Sequence, residues 1–277
     1  MQTLLDVLNK TTEWFSSKGL ENARGDAEQL LAHGLGCKRL DLYLRFDQPL
    51  EEAVLTQLRP LMKRRANREP LQHIIGEWPF CDLLLNVDAR ALIPRPETEE
   101  LVDWLIHLGE YPKRILDLGT GTGAIALSLA QAFPDAEVFA VDLNPDALSL
   151  AQENARKNSI KNVQFLQGSW LEPVNGVFDW IISNPPYLTN LEWDRASPEV
   201  KEYDPLSALV AADEGLADLK TILQTAYPYL NDGGRIALET GIEQHAQLLD
   251  LSASMGYKTP SSMQDLSGRD RFITATK

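Results

Sequence analysis

Four consecutive residues, Asn184-Pro185-Pro186-Tyr187, carry the most specific chemistry in the chain. They follow the apolar run Phe178-Asp179-Trp180-Ile181-Ile182-Ser183, which reads as a buried parallel strand. Neither proline has an N–H to donate, so the strand must stop there. Open α/β sheets hold their ligands at the C-terminal ends of strands. An Asn carboxamide, a stiff proline carbonyl and a Tyr ring are thereby grouped. The grouping suits a planar NH2: Asn184 Oδ1 and the Pro185 carbonyl can each accept one of its two hydrogens.

A second constellation lies upstream. Leu118-Gly119-Thr120-Gly121-Thr122-Gly123 follows the strand pattern Ile115-Leu116-Asp117-Leu118 and opens a helical pattern. Glycines let backbone turn tightly and approach a ligand. Asp142 ends the next strand pattern, 23 residues beyond Gly119, where a carboxylate can accept hydrogen bonds from ribose hydroxyls. The dinucleotide fingerprint needs its third glycine one residue later, and no hydride-transfer site is evident. The loop spacing and Asp142 resemble the S-adenosylmethionine-dependent methyltransferases with a Rossmann-like sheet. That resemblance implies a loop of Gly119, Thr120, Gly121, Thr122 and Gly123 around the cofactor, with Asp142 on its ribose. It also implies Trp170 near the adenine and Asn184 at the reacting end.

The elements that must position these residues form a repeating pattern from about residue 112. Strands are expected at 115–118, 137–141, 163–166, 178–183, 235–239 and 272–276. Helices are expected at 124–133, 145–158, 216–230 and 244–255. Asn231-Asp232-Gly233-Gly234 is read as the stop of the third of these helices. Such alternation predicts an α/β fold with a doubly wound, mostly parallel sheet. Residues 1–72 read as an all-helical domain. Leu4, Leu5, Val7, Leu8 and Trp14 recur at helical spacing, as do Ala27, Leu30, Leu31 and Leu35, and later Leu55, Leu58, Leu61 and Met62. Residues 73–94 read as a linker containing a β-hairpin, with turn chemistry at Asn86-Val87-Asp88. The third region, 95–277, begins with an amphipathic helix whose first turn carries Glu97, Glu99 and Glu100, where the helix dipole favours them.

Composition narrows the class. Hydrophobic residues make up 44% and charged residues 24%, as in ordinary globular proteins. No apolar run nears the roughly 20 residues a membrane helix needs, and residues 1–6 show no secretory pattern. The expected location is the cytoplasm. Cys37 and Cys81 suit a reducing compartment, and His33, His73, His107 and His245 form no metal-ligand spacing. Residues 1–72 hold 11 basic and 10 acidic residues; the remainder holds 15 and 30, a net −15. Such a surface repels a phosphate backbone, so free nucleic acid is a poor substrate candidate. The one basic cluster, Arg59, Lys63, Arg64, Arg65 and Arg68, is either a solvated helix face or a contact for an acidic partner.

These features together resemble the bacterial release factor glutamine methyltransferases (PrmC/HemK). The resemblance spans nearly the whole chain. It rests on Glu69-Pro70 with Gly76 and Phe80, on Ile93 to Glu100, on the Gly119–Gly123 loop and on Asn184 to Tyr187. Asp204-Pro205-Leu206-Ser207-Ala208-Leu209 extends it. His73 and Gly168-Ser169-Trp170 depart from the commoner family pattern. The resemblance implies methyl transfer from S-adenosyl-L-methionine to the glutamine amide nitrogen in the Gly-Gly-Gln loop of peptide chain release factors. The helical domain would recognise the substrate. Asn184 Oδ1 and the Pro185 carbonyl would grip the amide, Pro186 would stiffen the loop and Tyr187 would pack on the amide plane. No general base is evident. Arg95 would either border the site or form a structural ion pair. Rival readings are methylation of a ribosomal-protein glutamine, adenine-N6 methylation and a non-catalytic cofactor-binding adaptor. The second would need a basic target-recognition region, which the acidic balance opposes.

Overall fold

A computed structural model describes residues 2–277. The chain forms two compact units, residues 1–76 with Pro198–Tyr203, and Glu77–Ser197 with Asp204–Lys277.

The first unit is helical: α1 (Leu4–Ser17), α2 (Ala23–Gly34), α3 (Arg39–Tyr43), α4 (Glu52–Ala66) and α5 (Leu71–Ile75). Thr3 and Asp6 form a reciprocal capping box at the start of α1. Leu8, Phe15, Leu30, Leu31 and Leu58 are fully buried at its centre. The basic cluster of α4 is largely consumed inside this unit. Arg65 bridges Asp26 (2.7 Å) and Glu199 (2.9 Å), Arg68 also reaches Glu199 (2.7 Å), and Arg64 and Arg59 pair with Glu69 and Glu52. Arg65 and Arg68 are thus drawn into the unit, while Arg59, Lys63 and Arg64 keep the solvated helix face that was one of the two expectations. Glu199 comes from a short helix, Pro198–Tyr203, which the sequence reading had placed in the 95–277 region.

The second unit opens with a hairpin, β1 (Glu77–Phe80) and β2 (Leu83–Asn86), then α6 (Pro96–Ile106). The hairpin is tied to the rest of this unit. Asn154, fully buried, accepts from the Asn86 N–H and donates to the Asn86 and Thr122 carbonyls. The turn is Cys81-Asp82, not Asn86-Val87-Asp88, because Phe80 pairs with Leu83; Cys81 adopts φ +48° to make it.

The main sheet has seven strands. In chain order they are β3 (Arg114–Leu118), β4 (Glu137–Asp142), β5 (Val163–Gln167), β6 (Phe178–Ser183), β7 (Leu230–Glu239), β8 (Lys258–Gln264) and β9 (Asp270–Thr276). Across the sheet the order is β5-β4-β3-β6-β7-β9-β8, parallel from β5 to β7, with β9 antiparallel to both neighbours. Residues alternate between two cores. Ile115, Val138, Trp180 and Phe272 pack with α6 and with Ile125, Leu127 and Leu129 of α7 (Ala124–Ala132) on one face. Leu116, Leu118, Ile181 and Leu238 pack on the other with Leu219, Ile222 and Leu223 of α11 (Ala217–Ala226) and Leu248 of α12 (His245–Ser254). The remaining helices are α8 (Pro145–Lys157), α9 (Asn190–Arg195) and α10, the Pro198–Tyr203 helix.

Several elements differ from expectation. α11 ends at Ala226, a 3-10 turn covers Tyr227–Tyr229, and β7 starts at Leu230. Asn231 to Gly234 form a bulge within β7, where the register against β6 shifts between Phe178 and Trp180. α9 and α10 occupy a stretch for which no helix was expected.

Candidate active site

The sheet order places the chemistry. β3 and β6 are neighbours at the point where the strand order reverses, and Leu118 pairs with Ser183. Their next residues, Gly119 and Asn184, thus emerge side by side. Ser183 Oγ donates to the Leu118 carbonyl at 2.6 Å, tying the two ends together. Val141 pairs with Leu118 and Leu238 with Ser183, so Asp142 and Glu239 follow on either side.

These strand ends line a cavity of about 380 Å³. Its wall includes Gly119, Thr120, Gly121, Thr122, Asp142, Trp170, Asn184 and Pro186. Ala91 to Arg95, Thr98, Pro205, Ser207, Ala208 and Asp218 complete much of the rest. Its size is that of a small-molecule site. Gly123, Pro185 and Tyr187 do not line it. Gly123 is needed for another reason. It begins α7 at φ +85°, and a Cβ there would lie 3.0–3.2 Å from Leu127 and Ala151. Gly119 also has positive φ (+72°), a conformation that favours glycine, and the Trp170 ring lies beside it.

Asp142 organises the glycine loop. Its Oδ2 accepts from the Gly121 N–H (2.8 Å) and its Oδ1 from the Asn144 N–H (2.9 Å). A carboxylate has about four acceptor positions, so it retains capacity for a diol. Burial pushes its pKa upward, against these hydrogen bonds. Trp170 adopts φ +46°, and Asp218, whose pKa burial pushes upward, shares the cavity wall with it. Beneath the loop, fully buried Asp117 accepts from Thr120 Oγ1 (2.6 Å) and the Ala126 N–H (3.2 Å) through Oδ2. Burial first, and Asp142 second, push its pKa up to about 7.

The Asn184 loop is held from several sides. Asn184 Nδ2 donates to Thr98 Oγ1 (3.0 Å), and that hydroxyl donates to Glu239 Oε2 (2.7 Å). Tyr187 is anchored at its tip: its hydroxyl donates to Glu239 Oε1 at 3.0 Å. The Tyr187 carbonyl accepts from Gln244 Nε2 (2.9 Å). Arg95 does both things expected of it, lining the cavity and pairing with Asp204 at 2.6 Å. Immediately after Asp204, Pro205, Ser207 and Ala208 contribute to the wall, which gives that stretch a place in the fold.

Thr98, Glu239, Asp117 and Asp218 escaped the sequence reading. Glu239 carried a usable signal, a carboxylate closing the apolar run Ile236-Ala237-Leu238 as Asp142 closes its own strand. Thr98 lies inside the Ile93–Glu100 segment but has no chemistry until Asn184 meets it.

A methyltransferase-domain family model matches residues 111–268, and a PrmC N-terminal domain model matches residues 6–76. Two solved structures share the α/β unit at 19% identity. A methyltransferase from Pyrococcus furiosus superposes with TM-score 0.55 over 71% of this chain and 90% of its own. A Thermus thermophilus 16S rRNA methyltransferase, solved with AdoMet and guanosine, superposes with TM-score 0.53 over 73% and 49%. At that identity they speak for the fold alone. Sequence relatives go further. The release factor glutamine methyltransferase of Escherichia coli K12 is 42% identical, covering 91% of both chains. That of Geobacter sulfurreducens is 39% identical over 98% of this chain and 95% of its own. The Geobacter alignment spans nearly the whole chain, helical unit and site-bearing sheet alike, and the chain belongs to the release factor glutamine methyltransferase family.

Proposed function

We propose that this protein transfers the methyl group of S-adenosyl-L-methionine to the side-chain amide nitrogen of the glutamine in the Gly-Gly-Gln loop of peptide chain release factors. The observation that carries the reading is the adjacency of the glycine-loop cavity and Asn184 across the Leu118–Ser183 pair, in a chain of this family.

The cavity fits the cofactor's chemistry. Asp142 offers acceptor capacity for ribose hydroxyls, the loop residues Gly119 to Thr122 offer close backbone, and Trp170 with Asp218 offers an aromatic face and an acceptor for adenine. S-Adenosylmethionine supplies a methyl group activated by its sulfonium. The protein's own task is placement, since an amide nitrogen is a poor nucleophile whose lone pair is delocalised. Asn184 Oδ1 and the Pro185 carbonyl accept the two amide hydrogens and aim the nitrogen. Positive charge grows on that nitrogen during transfer, so both acceptors bind the transition state more tightly than the ground state. Pro186 stiffens the loop. Tyr187 serves as an anchor for it, consistent with its bond to Glu239.

The helical unit, matched by a PrmC N-terminal domain, is the substrate-recognition part. Free nucleic acid is no partner, in keeping with the net −15 of residues 73–277. None of the described helices is long and apolar enough to cross a membrane. The cytoplasm, where release factors work, is the proposed location. The test is mass spectrometry of purified release factor after incubation with this protein and S-adenosylmethionine. One added methyl on the loop glutamine is expected; an unmodified glutamine removes the assignment.

A further inference from the structure

We infer that Thr98 and Glu239 are positioning residues that lock the Asn184 carboxamide in one orientation, so that the site admits an NH2 group and rejects a carboxylate. The inference deepens the reading of Asn184 as the amide-gripping residue and rests on it.

The argument is one of hydrogen-bond direction. An Asn side chain presents an acceptor on one side and two donors on the other, and the two orientations have nearly the same shape. A site that grips an NH2 needs the acceptor turned inward. The reverse orientation would offer donors, which suit a carboxylate. Something must therefore choose. Thr98 has a single hydroxyl proton, and Glu239 Oε2 accepts it at 2.7 Å. Thr98 Oγ1 can then only accept from Asn184, and only Nδ2 can donate to it, at 3.0 Å. With Nδ2 engaged by Thr98, Oδ1 is left free for a ligand in the cavity, which Asn184 lines.

The lock itself is built to hold. Glu239 is 1% exposed and Thr98 4%, so neither exchanges its partner for water. The other Glu239 oxygen accepts from the Tyr187 hydroxyl at 3.0 Å. One carboxylate thus sets the donor direction at both ends of the Asn184-Pro185-Pro186-Tyr187 loop. The Tyr187 carbonyl is separately held by Gln244, so the loop backbone does not depend on Thr98 alone. Removing the Thr98 hydroxyl should free the amide to rotate without releasing the loop.

The consequence is specificity between glutamine and glutamate, two side chains of one shape. A glutamate carboxylate would meet Asn184 Oδ1 and the Pro185 carbonyl, acceptor against acceptor, at neutral pH. The test is calorimetric binding of release factor, with glutamine or glutamate in its Gly-Gly-Gln loop, to this protein saturated with S-adenosylhomocysteine. Wild-type protein should prefer glutamine by at least ~10-fold. Thr98→Val should reduce that preference to within about threefold, because the unlocked amide can turn its NH2 toward the carboxylate. Thr98→Ser, which keeps the hydroxyl, should retain the wild-type ratio. S-Adenosylhomocysteine affinity within about threefold of wild type shows that the cavity is intact. Thr98→Ala replaces Thr98→Val if it fails that control. A preference unchanged in Thr98→Val, or lost equally in Thr98→Ser, overturns the lock. A wild-type protein that binds neither release factor overturns the functional reading, and the lock with it.

Discussion

At the scale of single residues, the proposed roles of Asn184 in transfer and of Asp142 in cofactor binding are separable by substitution. Asn184→Ala should lower kcat for methyl transfer by about 10²–10³-fold, the usual cost of one preorganised polar group. Its affinity for S-adenosylmethionine should stay near normal. Unchanged turnover in a rapid-quench assay would exclude Asn184 from the transition state. Asp142→Ala should act in the opposite sense. It removes the carboxylate that holds the Gly121 and Asn144 N–H groups and offers acceptors to ribose. Cofactor affinity should fall on the order of 10–100-fold, since hydrogen bonds to a charged group contribute about 1.5–3 kcal/mol each. Wild-type affinity by calorimetry would refute the ribose role. Both residues could be picked out in the sequence because backbone-breaking neighbours mark them, prolines after Asn184 and a strand end at Asp142. Tyr187 adds a partner that no local pattern shows: buried Glu239, 52 residues away, accepts from its hydroxyl.

At the scale of elements, the end of β3 stores a pH-dependent strain. Asp117 is fully buried, and its Oδ1 has no hydrogen-bond partner among the described residues. Burial pushes its pKa from 3.8 up to about 7. The folded protein therefore binds this proton more tightly than the unfolded chain does. Stability is greatest below the unfolded pKa and is lost as pH rises through the folded one. The loss attributable to Asp117 between about pH 4 and 7 is on the order of 4 kcal/mol at most. Asp117→Asn carries no charge to desolvate and should lose this slope. Denaturant unfolding at pH 4.5 and 7.5 should show the variant gaining on wild type as pH rises; parallel shifts would discard the idea. The elements themselves were legible where burial is strong. β3, β4 and β6 are apolar runs packed on both faces. β8 was missed, because Lys258-Thr259-Pro260-Ser261-Ser262-Met263-Gln264 is polar, contains a proline and forms the exposed edge of the sheet. The Asn231–Gly234 bulge was mistaken for a helix stop because glycine pairs serve both uses.

At the scale of the whole molecule, charge is the dominant property. The chain carries a net −14, concentrated outside the helical N-terminal region, while the α4 arginines are spent on Asp26, Glu199, Glu69 and Glu52. No measurable binding to single-stranded RNA or duplex DNA is expected at about 0.15 M salt. Fluorescence anisotropy showing micromolar affinity for either would reopen the adenine-methylation reading. The sequence by itself determined the alternation of the buried strands and their helices, the glycine loop, the carboxylate ending β4 and the proline stop after β6. Each of these acts on the backbone within a few residues, through glycine's freedom, proline's missing N–H or the burial of an apolar run. Only the tertiary structure decided which side chains meet above the strand ends. Thr98 reaches Asn184 across 86 residues and Glu239 across 141. Their hydrogen bonds depend on sheet order and on the placing of α6, to which no local pattern of residue types is sensitive.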